Sequence, residues 1–272
     1  MAKTIDDLTL MDDYMFAQVM RETKHLKPLL EYILRVKITK IELVEPQKTE
    51  KEGYNSKGVR LDLYVEDEKG TIYNIEIQTS NKRNLPKRMR YYQSIIDISI
   101  LTPGMDYKSL KKSFVIFVCN YDEYGRGRYI YTFENTCREE PDLKFGDETY
   151  KIVINTKGTR GEISDELKEV IVYLDEGKIT GAYSQELDDA VKAVKNSEER
   201  RMEYMMLTTR DNEMRAEGRE EGRAEGISTG KIIGTVETMR DDDKSDSEII
   251  DRIMRKFGLT QEEAEKYVLQ LV

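Results

Sequence analysis

The spacing of apolar residues changes several times along the chain, and each change predicts an element. In residues 5–35, IDDLTLMDDYMFAQVMRETKHLKPLLEYILR, Met15, Phe16, Val19 and Met20 recur at helical intervals. The pattern resumes after Pro28, which a first helical turn tolerates, so one or two helices are expected. VKITKIELVE (36–45) alternates and is rich in β-branched residues, which predicts a strand, and PQKTEKEGYNSKG (46–58) reads as a polar loop. VRLDLYVE (59–66) and TIYNIEIQT (71–79) alternate again and are joined by DEKG, a hairpin signal. Pro86 opens a helix that ends before Pro103-Gly104. KSFVIFVCN, RYIYTFEN and YKIVINT read as further strands, the first apolar throughout and therefore interior. From Ser164 onward the pattern is helical. Helix, three strands, helix, strand is neither a doubly wound nor a sandwich order.

The hairpin concentrates the chemistry. By the two-residue period Val59, Leu61, Leu63 and Val65 share one face, leaving Arg60, Asp62 and Tyr64 on the other, and Glu76 and Gln78 lie together about 7 Å apart. If DEKG is a four-residue loop, Asp62 falls opposite Ile75; one residue less or more moves it to Glu76. Either way Asp62 and Glu76 come within about 5–8 Å and can clasp one cation. A hard ion such as Mg²⁺ suits one or two carboxylates with water ligands left for a substrate phosphate. Unpaired charge inside an apolar strand is costly, so these residues need a reason to be there. Lys87, Arg88 and Arg90, just behind them near a helix start, are placed to hold a phosphate backbone.

Charge and composition narrow the picture. Fifty-three acidic against 44 basic residues, a formal net charge of -9, exclude a protein that coats nucleic acid by bulk charge but leave room for a local basic groove. Two cysteines and one histidine cannot build a Cys/His zinc site. Cys119 lies in an apolar run and reads as a buried thiol; His25 reads as a surface or capping residue. No run of about 18 apolar residues exists and the first residues are acidic, so no membrane span or signal peptide is expected, and the location is cytoplasmic.

LMDDYMFAQVM, then KGVRLDLYVEDEKGTIYNIEIQTSNKRNLPKRMRYYQSIID, YTFEN and the late EGREEGRAEG resemble the recombination-promoting nuclease and transposase family of the PD-(D/E)XK superfamily, over nearly the whole chain. The resemblance implies an α/β (α+β) class, a restriction-endonuclease-like core of a mixed sheet flanked by helices with a helical C-terminal tail, and Mg²⁺-dependent cleavage of DNA, with Mn²⁺ as a substitute. Asp62 and Glu76 match the metal-binding acids, and Ile77 would offer its backbone carbonyl. Gln78 stands where the wider superfamily has lysine; an amide can orient water or phosphate but brings no charge, so charge stabilisation would fall on the metal and on Arg88. Asp13 matches an acidic position of the family's first helix, either as a metal ligand or as a carboxylate favoured by the helix dipole. The rival class is a binding or assembly protein that keeps this fold and cleaves nothing.

The expected organisation is a nuclease-like domain over 1–180, a charged helical segment over 181–235 and a small helical module over 236–272. Gly218, Gly222, Gly226, Gly230 and Gly234 recur every fourth residue, read either as a flexible linker or as a smooth stripe for self-association, and hence a homodimer or higher oligomer through the C-terminal helices. Thr260 is expected to cap the last helix through Glu263.

Overall fold

A computed structural model describes residues 3–43 and 63–269. Two compact units divide them, residues 1–204 and 205–272.

The first unit is built on a six-stranded mixed sheet: β1 (Ile41–Leu43), β2 (Leu63–Asp67), β3 (Ile72–Gln78), β4 (Ser113–Cys119), β5 (Ile130–Phe133) and β6 (Thr149–Asn155), in the order β1-β2-β3-β4-β6-β5. The β3–β4 and β4–β6 pairs are parallel and the others antiparallel. α3 (Leu85–Ile100) makes the crossover from β3 to β4. It presses Leu85, Met89, Tyr92 and Ile96 onto Ile72, Val115, Phe117 and Val153 on one face of the sheet. The other face is covered by α1 (Asp13–Met20), α2 (Thr23–Leu34), α4 (Asp165–Glu176) and α5 (Ala182–Asn196), which bury Phe16, Leu26, Leu30, Val170 and Leu187 with Val65, Ile75, Ile116 and Ile154. Each such fully buried side chain contributes about 1.5–3 kcal/mol. β4, apolar on both faces, is the interior strand its sequence predicts. The class is α+β, with a mixed sheet between helices as in restriction-endonuclease-like folds.

Several local expectations are corrected. The β2–β3 loop has three residues, Glu68, Lys69 and Gly70, because Asp67 stays in the ladder: its N–H donates to Thr71 O at 3.0 Å. Its carboxylate also accepts from Lys69 and Thr71 N–H at 2.9 and 2.8 Å, and Gly70 takes the left-handed φ of 79° that this loop class requires. The register is therefore Leu63 opposite Ile75 and Tyr64 opposite Asn74. Of the strand expected over 36–45, only Ile41–Leu43 pairs among the described residues; Thr39 and Lys40 turn their N–H groups to the Glu68 carboxylate instead. Pro28 sits inside α2 rather than in its first turn. His25 is buried, not on the surface, because α5 closes over it: the Tyr183 hydroxyl donates to the His25 carbonyl, and Glu186 Oε1 stands 3.2 Å from Nδ1. Burial pushes the His25 pKa down, against the pull of Glu186. Cys119 and Cys137 are free thiols, and burial drives Cys119 up to about 12.

The glycine-punctuated run is helical, as the charged segment is expected to be, and the flexible-linker alternative falls away. α6 (Glu198–Asp241) is continuous through all five glycines, and a Cβ at any of them would meet nothing within 4 Å. In the second unit, Ile232 and Val236 of α6 pack with Ile249 and Ile253 of α7 (Asp246–Phe257) and with Ala264 and Val268 of α8 (Gln261–Leu269). Both short helices have reciprocal caps, Ser245 with Glu248 and Thr260 with Glu263. No helix among the described residues is long and apolar enough to cross a membrane.

Candidate active site

Asn74, Glu76 and Gln78 alternate with Tyr73, Ile75 and Ile77 along β3, so the apolar set faces the four-helix layer and the polar set faces α3. β3 is flanked on both sides and covered on both faces, which leaves Glu76 at 1% exposure and Gln78 at 9%. Each is held by named partners. The Asn74 amide nitrogen donates to Leu63 O at 3.3 Å and to Glu76 Oε1 at 3.0 Å. Gln78 Nε2 donates to Ser80 O at 2.7 Å, which turns its oxygen toward α3.

From α3 comes Arg88, two residues past Pro86. Its Nη1 donates to Gln78 Oε1, its Nη2 lies 3.5 Å from Glu76 Oε2, and Nε and Nη2 reach the Tyr92 hydroxyl at 3.0 and 2.7 Å. The guanidinium also stands over the Phe117 ring of β4, 5.2 Å from its centroid. A helix places i and i+4 on one face, which is why Tyr92 can brace Arg88. Arg88 supplies the positive charge that a glutamine at position 78 cannot.

Of the residues singled out from sequence, Glu76, Gln78 and Arg88 are brought into one cluster. Asp13, at the start of α1, is close enough for Arg88 to pull its pKa down; partial burial of the carboxyl outweighs that pull and raises it. Ile77 sends its side chain into the opposite core, while its backbone groups face the β2 side, since Ile72 N–H and Gln78 C=O bond toward β4. Lys87 and Arg90 are exposed on α3 and point away from the cluster. Asp62 lies outside the described residues; Leu63, which follows it, pairs with Ile75, which precedes Glu76. Sequence reasoning did not find Asn74 and left Tyr92 aside. The two-residue period from Glu76 marks Asn74, and the four-residue step from Arg88 marks Tyr92.

Among the described residues no group of three His, Cys, Asp or Glu side chains could hold a metal ion. One observation fits a hard cation beside Glu76 all the same: Asn74 Oδ1 is a buried oxygen with no hydrogen-bond partner, on the residue whose amide already touches that carboxylate. Glu76, Asn74 and the Ile77 carbonyl offer oxygen, the donor such ions take.

The first unit thus carries a buried acid and amide two residues apart on a central strand of a mixed sheet, with an arginine from the crossover helix beside them. Residues 10–138 match the family model of the PD-(D/E)XK nuclease family transposase, and this segment belongs to that family. The match ends before the EGREEGRAEG run, so the likeness is shorter than the near-complete one expected from sequence. No curated protein and no solved structure gives a match. The family assigns the chain a nuclease or transposase type of function.

Proposed function

We propose that the protein is a metal-dependent DNA endonuclease of mobile-element type, acting in the cytoplasm. The observation that carries this reading is the buried Glu76–Gln78–Arg88 cluster within the family segment. Asp62, Glu76, the Ile77 carbonyl and Asp13 would hold Mg²⁺ or Mn²⁺. When bound, such an ion polarises the phosphate and lowers the pKa of the attacking water.

The chain's own residues do the rest. Asn74 fixes Glu76 through Oε1, while Oε2 lies toward Arg88 Nη2. Gln78 accepts from Arg88, so the amide and the guanidinium are oriented together toward one phosphate. Arg88 carries the charge that stabilises the developing anion. Lys87 and Arg90, exposed on the first turns of α3, hold the flanking backbone. In this reading residues 1–180, with α5 packed on them, carry the chemistry, the charged remainder of 181–235 connects, and 236–272 form a module that pairs two copies for a double-strand cut.

The experiment is nicking and linearisation of supercoiled plasmid with Mg²⁺, Mn²⁺ or EDTA, comparing wild type with Asp62→Ala and Glu76→Ala. Cleavage that requires metal and both acids is the expected result. Cutting by both variants at the wild-type rate overturns it. One observation favours the rival, a silent binding or assembly protein: Arg88 already stands beside the Glu76 carboxylate. Absence of cutting on plasmid, single-stranded DNA and RNA would give that rival the lead.

A further inference from the structure

A second basic feature lies at the same end of the sheet as the candidate active site. A cavity of about 600 Å³ runs along the open side of β5, walled by the last turn of α2 and by the segment after β6. Arg35, Arg128 and Arg160 line it, against one acid, Glu162. None of the three arginines forms an ion pair among the described residues, so the cavity wall carries a local excess of positive charge in a chain of formal charge -9.

The backbone beneath them is fixed. Asp122 ties the turn that leads to Arg128, accepting from Gly127 N–H at 2.6 Å and from the Tyr131 hydroxyl at 2.8 Å. Asn155 Nδ2 donates to Arg128 O at 3.0 Å, Tyr129 N–H donates to Arg160 O at 3.0 Å, and Arg160 N–H donates to Gly127 O at 2.8 Å. Gly158 lets the two segments close: a Cβ there would stand 2.6 Å from Tyr129 Cα. Arg128 and Arg160 therefore leave a rigid double turn side by side.

Register gives the distance to the other site. Ile130, Ile154, Val118 and Ile77 form one row across β5, β6, β4 and β3. Arg128 lies two residues past that row in the direction of the C-terminal ends of β3, β4 and β6, and Gln78 lies one residue past it in the same direction. Three strand spacings separate their backbones, about 14 Å within the sheet, and the cavity lies on the α2 side whereas Gln78 faces α3.

We propose that the cavity bounded by Arg35, Arg128 and Arg160 is a binding site for the phosphate backbone of DNA. It anchors the DNA at the same end of the sheet as the Glu76–Gln78 cluster, from the other face. Its relation to a cut rests on the nuclease reading above; the binding itself does not. A fork of donors suits a phosphate, and an acidic chain needs local positive charge to hold DNA at all.

The test is fluorescence anisotropy of a labelled 20-base-pair duplex with the full chain in EDTA, over a salt series. The Arg128→Gln/Arg160→Gln double variant is compared with Lys69→Gln/Lys108→Gln, which removes the same charge at the opposite end of the sheet. The arginine variant should bind about tenfold more weakly. Its log–log salt slope should be smaller by about 1–2, since each phosphate left without its cation removes about 0.9. The lysine control should change neither. Arg128→Lys/Arg160→Lys, which keeps the charge and the side-chain stem, should retain the slope and lose part of the affinity, and it decides the matter if the glutamine variant does not fold. Wild-type behaviour in the arginine variants overturns the site. So does equal loss in the lysine control, absence of duplex binding by wild type at low salt, or arginine-dependent binding of labelled polyglutamate in place of DNA, which would make the open β5 edge a peptide groove. If plasmid is never cut yet binding still depends on these arginines, the nuclease reading fails and this site stands.

Discussion

Arg88 Nη2 stands 3.5 Å from Glu76 Oε2 while Nη1 of the same guanidinium donates to Gln78, so one side chain from the crossover helix serves both polar residues of a buried strand. Tyr92 and the Phe117 ring hold it there. The cation and a divalent ion would compete for the same carboxylate oxygen.

Arg88→Ala should therefore lower stability and sharpen the response to metal. Removing one partner of a buried pair costs about 3–5 kcal/mol. Because Arg88 is 35% exposed, we expect about 1–3 kcal/mol, a melting temperature lower by about 2–10 °C. Mg²⁺ should raise the melting temperature of Arg88→Ala more than that of wild type. Equal gains in a thermal-shift titration would show that the guanidinium does not compete.

Gln78→Lys, which installs the residue of the wider superfamily, should impair this protein. The new ammonium would meet Arg88 where the amide oxygen now accepts its hydrogen bond. We expect plasmid cleavage to fall about 10²-fold, the scale of losing one oriented donor. A rate equal to or above wild type would mean that Arg88 yields its place without loss.

His25 sets a pH dependence. Its folded pKa is depressed, chiefly by burial, so the unfolded chain takes up the proton first. The stability tied to the neutral ring is present above the unfolded value of 6.5 and is lost as pH falls below it toward the folded pKa. His25→Gln should flatten the fall in melting temperature between about pH 7 and pH 5. An unchanged slope would place the acid sensitivity elsewhere.

Gly222→Ala, Gly226→Ala and Gly230→Ala together should stabilise α6. A Cβ at each of these positions meets nothing within 4 Å, and each glycine costs about 1 kcal/mol against alanine in a helix. Far-UV circular dichroism should show a higher melting temperature for the triple variant. A loss of stability, or a change of mass by light scattering, would instead reveal a surface on which another helix sits.

Glu76 and Gln78 are legible in sequence because an acid and an amide at a two-residue spacing interrupt an apolar run. The sequence does not tell which of Lys87, Arg88 and Arg90 turns inward. The three differ only in angle around the helix, and the choice is made when Leu85, Met89 and Tyr92 dock on the sheet. The length of the β2–β3 loop escapes for a local reason, since Asp67 looks like a turn residue while remaining paired. His25 escapes for a distant one, because its cover arrives 158 residues later with Tyr183. The glycine run misleads in another way. Its glycines argue against helix, but the Glu, Arg and Ala between them are strong helix formers.

The bonds that define the cluster join residues close in sequence: separations of 2, 4, 10 and 12 link Asn74 to Glu76, Arg88 to Tyr92, Arg88 to Gln78 and Arg88 to Glu76. Loops this short close at little entropic cost, whereas β5 and β6 must wait for longer excursions of the chain. Contact order therefore favours early pairing of this strand and helix, with the rest of the sheet closing around a polar cluster already in shape.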